Sequence, residues 1–321
     1  MATYNGAKFL EKQLQSICDQ NYSYWRLIIR DDGSNDGTID IIKKYIIKDK
    51  RISLLENETE QHGAYCNFWT LINYAKKIRE YDYYFFADQD DIWEQNKIKI
   101  FIQNAEKYTN VPLYMYSDME TIDSFDNQKL KSVNKIMGID MNNDKYTLFY
   151  SQGYVWGCAS MINKELFKKV KPLNTSIQYA NSISHDNFYA KHGLILGKVK
   201  FINQTLIKHR RHDNNTTGEY SMKITPRIIL KKGFLFFNDT AKTHAHGYDQ
   251  TLHTIDWMIS EGYADSEILK IKDSILKGGW HGVLQMISFR VKRPQFSRTL
   301  GIYVIMLSNK YKKYMEYNKE V

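Results

Sequence analysis

The aromatic and apolar run Tyr81-Asp82-Tyr83-Tyr84-Phe85-Phe86-Ala87 ends abruptly in Asp88-Gln89-Asp90-Asp91. The run reads as a buried strand. Carboxylates this close repel one another unless a divalent cation takes their oxygens. Open α/β sheets hold their ligands at the carboxyl ends of their strands. A chain with this feature calls for a layered α/β fold with its chemistry at one sheet edge.

The remainder of the first half agrees. Leu10, Leu14, Ile17 and Cys18 recur at helical spacing behind Asn5-Gly6, which predicts a helix over 7–20. Trp25-Arg26-Leu27-Ile28-Ile29-Arg30 reads as a strand running into the turn Asp31-Asp32-Gly33-Ser34. A helix over 38–48, a strand over 52–55 and a helix over 67–79 follow, before the strand that ends at Ala87. This alternation predicts a mainly parallel sheet covered by helices. Further strands are expected at 113–117, 157–162 and 198–202, and helices at 164–170 and from 186. The polar stretch Asp123 to Asp144 reads as a mobile loop. Beyond Pro226 the pattern is helical, at 228–237, 247–260, 266–276, 280–291 and 297–317. The division is an α/β domain over 1–221 and a basic helical region over 222–321.

Charge follows the same division. The net charge is +9, and residues 222–321 hold 16 Lys/Arg against 9 Asp/Glu. Residues 1–221 hold 29 against 27, so the acidic chemistry sits on a near-neutral domain. A basic surplus suits anionic lipid or nucleic acid, and a solvated helical face is the plain alternative. Cys18, Cys66 and Cys158 stand far apart, which argues against a disulfide framework and a thiolate zinc site and suits a reducing cytoplasm. No apolar stretch approaches the roughly 18–20 residues that span a bilayer. The opening residues show no basic segment followed by an apolar one, so no signal peptide is expected. The missing G-x-x-x-x-G-K-[ST] argues against P-loop kinase chemistry.

Both acidic turns follow strands, and in a parallel sheet their carboxylates can converge on one edge. Asn5-Gly6 shares that edge if Met1 to Tyr4 is the stub of a first strand. For Asp31-Asp32-Gly33-Ser34 alone, a helix N-cap turn is the plain alternative. Met1-Ala2-Thr3-Tyr4-Asn5-Gly6, Asp31-Asp32-Gly33-Ser34 and Asp88-Gln89-Asp90-Asp91 together resemble family 2 glycosyltransferases of the GT-A fold. Ser184-His185-Asp186 and Arg211-His212-Asp213-Asn214-Asn215-Thr216-Thr217-Gly218 resemble the bacterial rhamnosyltransferase-like branch of that family. The resemblance covers about residues 1–220, with the motifs in the family's order.

The resemblance implies roles position by position. Thr3 and Tyr4 contact the nucleoside, Asp31 and Asp32 recognise the base, and Gln89 faces the donor. Asp88 and Asp90 support the ribose and hold Mg²⁺ or Mn²⁺ on the diphosphate, while Asp91 braces the loop. Asp186 is the base that takes the acceptor proton, with His185 orienting it or touching the acceptor. His212 lies near the diphosphate as a metal ligand, with Arg211 as a helper. Trp93 opens the next helix, and Gly63, Tyr65 and Asn67 lie near the nucleotide. Gly153 to Gly157, with Trp156, shapes the acceptor side, and Asn214, Asn215 and Gly218 form a closing loop.

The residue types suit that chemistry. Breaking a sugar–diphosphate bond develops negative charge on the leaving oxygen, which a cation on carboxylate oxygens neutralises. A base on the other face of the sugar activates the acceptor hydroxyl. Plain alternatives stand beside each: an N-cap pair for His185-Asp186, and a surface basic cluster for His209-Arg210-Arg211-His212. The function implied is an inverting, metal-dependent transferase acting on a nucleotide-sugar donor and a glycan or lipid-diphosphate-linked acceptor. The donor is dTDP-rhamnose or a UDP-hexose, and the product a cell-surface or capsular polysaccharide precursor. A metal-dependent phosphohydrolase and a catalytically inactive nucleotide-sugar-binding protein are the rivals. Leu300, Tyr303, Val304, Leu307, Tyr311 and Tyr314 share one helical face in the basic tail. That face either docks on the catalytic domain or lies on an anionic membrane at the cytoplasmic side.

Overall fold

The computed structural model describes all residues except 58–61, 138–144, 152–154, 178, 214, 216–225, 294 and 318–321, and for 226–236 the backbone alone. In chain order the elements begin β1 (Ala2–Thr3), α1 (Ala7–Cys18), β2 (Leu27–Asp31), α2 (Thr38–Lys48), β3 (Ile52–Leu55) and α3 (Ala64–Lys77). They continue with β4 (Tyr83–Phe85), β5 (Ile92–Trp93), α4 (Lys97–Ala105), β6 (Leu113–Ile122), β7 (Gln128–Leu130), α5 (Asn134–Met137) and α6 (Thr147–Tyr150). Next come β8 (Ser160–Asn163), α7 (Lys164–Lys169), α8 (His185–Leu196) and β9 (Lys198–Arg210). The last are α9 (Pro226–Ser260), α10 (Ser266–Lys277), α11 (Gly279–Ser288) and α12 (Phe296–Ser308).

The chain forms two compact units. One comprises Met1–Val133, Val155–Gly193 and Gly197–Glu219, and the other Asn134–Tyr154, Leu194–Leu196 and Tyr220–Val321. In the first, β1, β2 and β3 make a parallel sheet with Thr3 opposite Asp31 and Leu27 opposite Ile52. Its β-branched run buries Leu27, Ile29 and Ile52. A second sheet runs β4-β8-β6-β9-β5, with β7 beside β6. This sheet is mixed: β6 and β9 are parallel, and the other pairs are antiparallel.

The strands expected at 113–117 and 198–202 are both longer than their apolar runs. They pair from Leu113 and Lys198 to Ile122 and Arg210, so each supports the other's polar end. This extension carries His209 and Arg210 beside the acidic turn. Trp93 does not open a helix: it pairs with Ile207 in β5, and α4 begins at Lys97.

In the second unit, helices predicted at 228–237 and 247–260 are one helix of 35 residues. Ala241, Ala245, Tyr248, Leu252 and Ile255 carry one buried stripe through the join, and alanines make that stripe faint in sequence. Pro226 suits its first position, where no amide partner is needed. The helix expected over 297–317 stops at Ser308, because Asn309 takes a left-handed φ of 56° and a tight 3₁₀ turn follows.

Candidate active site

The amino end of the chain is pinned by a small set of side chains. Thr3 Oγ1 donates to Asp31 Oδ2 at 2.8 Å, and Asp31 Oδ1 accepts from the amides of Gly33 and Ser34. The Ser34 hydroxyl also donates to Asp31 Oδ2, at 2.6 Å. Asp31 is therefore spent on shaping the turn. Asp32 is held differently. Buried Arg30 pairs with its Oδ1 at 3.1 Å, and the Gly63 amide donates to its Oδ2 at 2.8 Å. Gly63 has φ +118°, and an added Cβ would lie 2.3 Å from the Asn181 side chain, so only glycine fits there. Asn67 Nδ2 donates to the Thr3 carbonyl at 3.2 Å. Thr3, Asp31, Asp32, Gly63 and Asn67 thus form one hydrogen-bonded rim at the ends of β1 and β2.

Gln89 links this rim to the acidic turn. Its side chain accepts from the Tyr4 amide at 2.8 Å and donates to the Tyr4 carbonyl at 2.9 Å. Gly6 makes the approach possible, because a Cβ there would sit 2.2 Å from Gln89 Oε1. Tyr4 itself stays exposed at 56%.

The three acids of the turn are in three different situations. Asp90 Oδ2 meets His212 Nε2 at 2.7 Å, and the Asp90 carbonyl accepts from Arg210 Nε at 2.8 Å. Asp91 is fully buried, with Oδ1 accepting from His209 Nδ1 at 2.9 Å and from the Arg210 amide at 3.1 Å. Burial alone would raise the Asp91 pKa, but His209 and these hydrogen bonds hold it below the usual carboxylate value. Burial likewise opposes the His209 imidazolium, and Asp91 outweighs it, so the His209 pKa is raised. Asp88 is relieved only in part, by the charge of His209. Desolvation first, then repulsion from Asp91, Asp90 and Asp186, push its pKa from 3.8 up to about 7.

Asp186 sits in the first turn of α8. Its Oδ2 accepts from the Gly157 amide at 2.9 Å and its Oδ1 from the Asn187 amide at 2.6 Å. Both contacts fix the carboxylate, and its charge reaches Asp88. His185, by contrast, is an aromatic-packed residue. It stacks on Phe68 at 4.0 Å and lies 4.4 Å from Phe86, and burial lowers its pKa to about 4. Neither of its ring nitrogens has a hydrogen-bond partner among the described residues. Gly157 lies against it, since a Cβ there would come within 2.5 Å of His185 Nε2.

The structure thus pairs Asp90 with His212 and leaves Asp88 within electrostatic reach of Asp90, Asp91 and Asp186, with Gln89 tying the acidic turn to Tyr4. Arg211 is half-buried, and its amide donates to the Ile122 carbonyl at 2.8 Å. Asn215 closes the following turn by accepting from the His212 amide. Gly153, Asn214 and Gly218 lie outside the described residues.

One set of residues escaped sequence reading. Lys97 is fully buried beneath the acidic turn, donates to the Cys158 carbonyl and lies 3.5 Å over the Trp93 ring. Burial lowers its pKa to about 7, against the pull of Asp91 and Asp88. Asp91, Cys158 and His209 each offer a ligand-type atom within 4.8 Å of the others. A metal there would meet the Lys97 ammonium and displace the existing Asp91–His209 pair, so this set does not fit an ion. It is a brace for the turn. No local signal marked it, since His209 lies past the apolar run of β9 and reaches Asp91 only through the pairing of β9 with β5 and β6.

Carboxylates gathered at neighbouring strand ends of an α/β domain are the layout of the GT-A fold. The profile of Glycosyl transferase family 2 matches residues 1–171. The chain belongs to that family and is a glycosyltransferase. It is 29% identical to the dTDP-rhamnosyl transferase RfbG of Shigella flexneri over 228 residues, 68% of this chain and 73% of that protein. It is 32% identical over 124 residues to WfgD of Escherichia coli, a UDP-Glc:alpha-D-GlcNAc-diphosphoundecaprenol beta-1,3-glucosyltransferase, covering 39% of this chain and 46% of that one. The fold is similar to S. aureus TarS 1–349, with a TM-score of 0.54 at 12% identity, covering 98% of this chain and 81% of TarS 1–349.

Proposed function

We propose that the chain is an inverting, metal-dependent transferase that moves L-rhamnose from dTDP-rhamnose, or a hexose from a UDP-sugar, onto a cell-surface or capsular polysaccharide precursor. Asp186 supports this reading most. Its carboxylate is held by two backbone amides, and its charge reaches the Asp88 side chain. A fixed base and an acidic cluster in one neighbourhood are what an in-line displacement at a sugar carbon requires.

Asp88, Asp90 and His212 would hold Mg²⁺ or Mn²⁺, since two carboxylates and an imidazole suit these ions. Asp88 fits this role because burial and the repulsion of Asp91, Asp90 and Asp186 outweigh the pull of His209 on its charge. Bound there, the cation would neutralise charge on the departing diphosphate. Gln89 and Thr3 fix the rim on which the nucleoside rests. Asp186 accepts the proton of the acceptor hydroxyl, and the Gly157 and Asn187 amides keep it aimed. RfbG suggests the rhamnosyl donor by its name, and WfgD a lipid-diphosphate-linked acceptor. Such an acceptor places the enzyme peripherally on the inner face of the cell membrane. No helix among the described residues is long and apolar enough to cross it.

The test is a thermal-shift panel of dTDP-rhamnose and UDP-sugars with Mn²⁺, followed by transfer assays. One donor should raise Tm only with the metal present. Asp186→Asn should keep that shift and lose transfer by about 10²-fold or more. Full turnover by Asp186→Asn would show the base to be elsewhere, and a panel with no shift would defeat the donor assignment.

A further inference from the structure

We propose that helices α11 and α12 form a docking surface for an anionic lipid membrane. α11 buries Gly282, Val283 and Met286, yet leaves Trp280, Leu284 and Ile287 in solvent, with Trp280 69% exposed. α12 buries Ile302, Ile305 and Met306 and leaves Phe296, Leu300, Val304 and Leu307 in solvent, with Phe296 80% exposed. Both exposed sets recur at three- and four-residue intervals, so each helix carries a second apolar stripe opposed to its buried one. The two helices touch, since a Cβ on Gly282 would lie 2.4 Å from Met306 Sδ. Exposed stripes of large side chains on adjacent helices mark an interaction surface.

The face differs from the one expected from sequence. Tyr311 is buried and donates to the Ile275 carbonyl at 2.6 Å, and half-buried Tyr303 donates to the Val291 carbonyl at 2.8 Å. These tyrosines hold the unit together, and Leu300, Val304 and Leu307 are joined in solvent by Phe296.

Charge selects the occupant. From Ser274 to Met315 the sequence has eight Lys/Arg and no Asp or Glu. Arg290, between the two helices, and Lys313, just past α12, are exposed. Lys277 is answered by Asp273 and Arg293 is buried, but a second copy docked through the same segment would set exposed Arg290 and Lys313 against like charges. Anionic headgroups answer exposed Arg290 and Lys313, while the Trp, Phe and Leu side chains reach the acyl boundary. The surface deepens the peripheral placement proposed above, and vesicle binding is read without donor or acceptor, so it stands or falls apart from the transferase chemistry.

The experiment is cosedimentation of the full chain with phosphatidylglycerol-containing and with pure phosphatidylcholine vesicles, alongside quenching by brominated lipid. The protein should pellet with the anionic vesicles and stay in the supernatant with the neutral ones. Arg290→Glu and Lys313→Glu should each weaken binding by about fivefold or more. Leu300→Ser with Leu284→Ser should weaken it further, with an unchanged circular-dichroism spectrum and donor shift. Brominated lipid should quench tryptophan emission in the wild type, and Trp280→Phe should lose most of that quenching. Equal pelleting with both vesicle types, or none, overturns the proposal. So does a dimer in light scattering that the serine variants dissociate, since a second copy is then the occupant.

Discussion

Replacing Asp88 by asparagine should stabilise the metal-free protein while abolishing transfer. A carboxyl whose folded pKa lies above its unfolded value is held protonated by the fold. Its contribution is present below pH 3.8 and is lost as pH rises through about 7. At pH 8 the charged Asp88 therefore destabilises the fold. The shift from 3.8 to about 7 corresponds to about 4 kcal/mol at most. Partial exposure of Asp88 to solvent reduces this, so about 1–4 kcal/mol is expected. In a unit of this size each kcal/mol moves Tm by about 2–4 °C. The assay is thermal unfolding of wild type and Asp88→Asn in EDTA at pH 5 and pH 8, repeated with Mn²⁺. The variant should gain over wild type at pH 8 much more than at pH 5, and Mn²⁺ should raise the wild type alone, closing the gap. A variant that is less stable at pH 8, or a difference that does not grow with pH, would refute the argument that carboxylate repulsion is only partly relieved there.

Three further outcomes follow from other contacts. His212→Ala removes the imidazole beside Asp90 and should raise the Mn²⁺ concentration for half-maximal activity by about tenfold or more, with little change in unfolding temperature in EDTA. Gly6→Ala pushes against Gln89 Oε1 and should raise the donor KM by breaking the Gln89–Tyr4 pairing, checked by steady-state kinetics against a near-wild-type circular-dichroism spectrum. His209→Ala leaves Asp91 as a buried carboxylate without its ion pair and should cost about 3–5 kcal/mol in urea unfolding at pH 7.

The alternation of strands and helices in the first half was legible because each apolar run is short and bounded by turn residues. Residues 38–48 and 52–55 fold as read, since Thr38 and Ile42 face the core and Ile52 begins β3. The acidic turn was legible for a different reason: three carboxylates after an apolar run have few structural explanations. The second sheet was not legible as mixed. Strand direction is set by partners distant in the chain, such as Tyr114 opposite both Ile162 and Val199, and no local pattern encodes that. The surroundings of His185 were not legible either. Beside Asp186 it looks like a functional pair, yet helical geometry turns the two side chains apart, one onto Phe68 and the other onto the Gly157 amide.

The acidic turn has one deeper requirement that its own four residues cannot meet. The cation role proposed for Asp88 and Asp90 requires that something else hold the backbone that carries them. Asp91 does this by turning inward to His209 and the Arg210 amide, while Arg210 reaches back to the Asp90 carbonyl. That grip exists only because β9 runs on to Arg210, well past its apolar residues, on the support of β6. Lys97 then offsets part of the negative charge from below. Asp91 is satisfied inward and Asp90 meets His212, while Asp88 keeps the repulsion of Asp90, Asp91 and Asp186, and the cation site proposed above would draw on that repulsion.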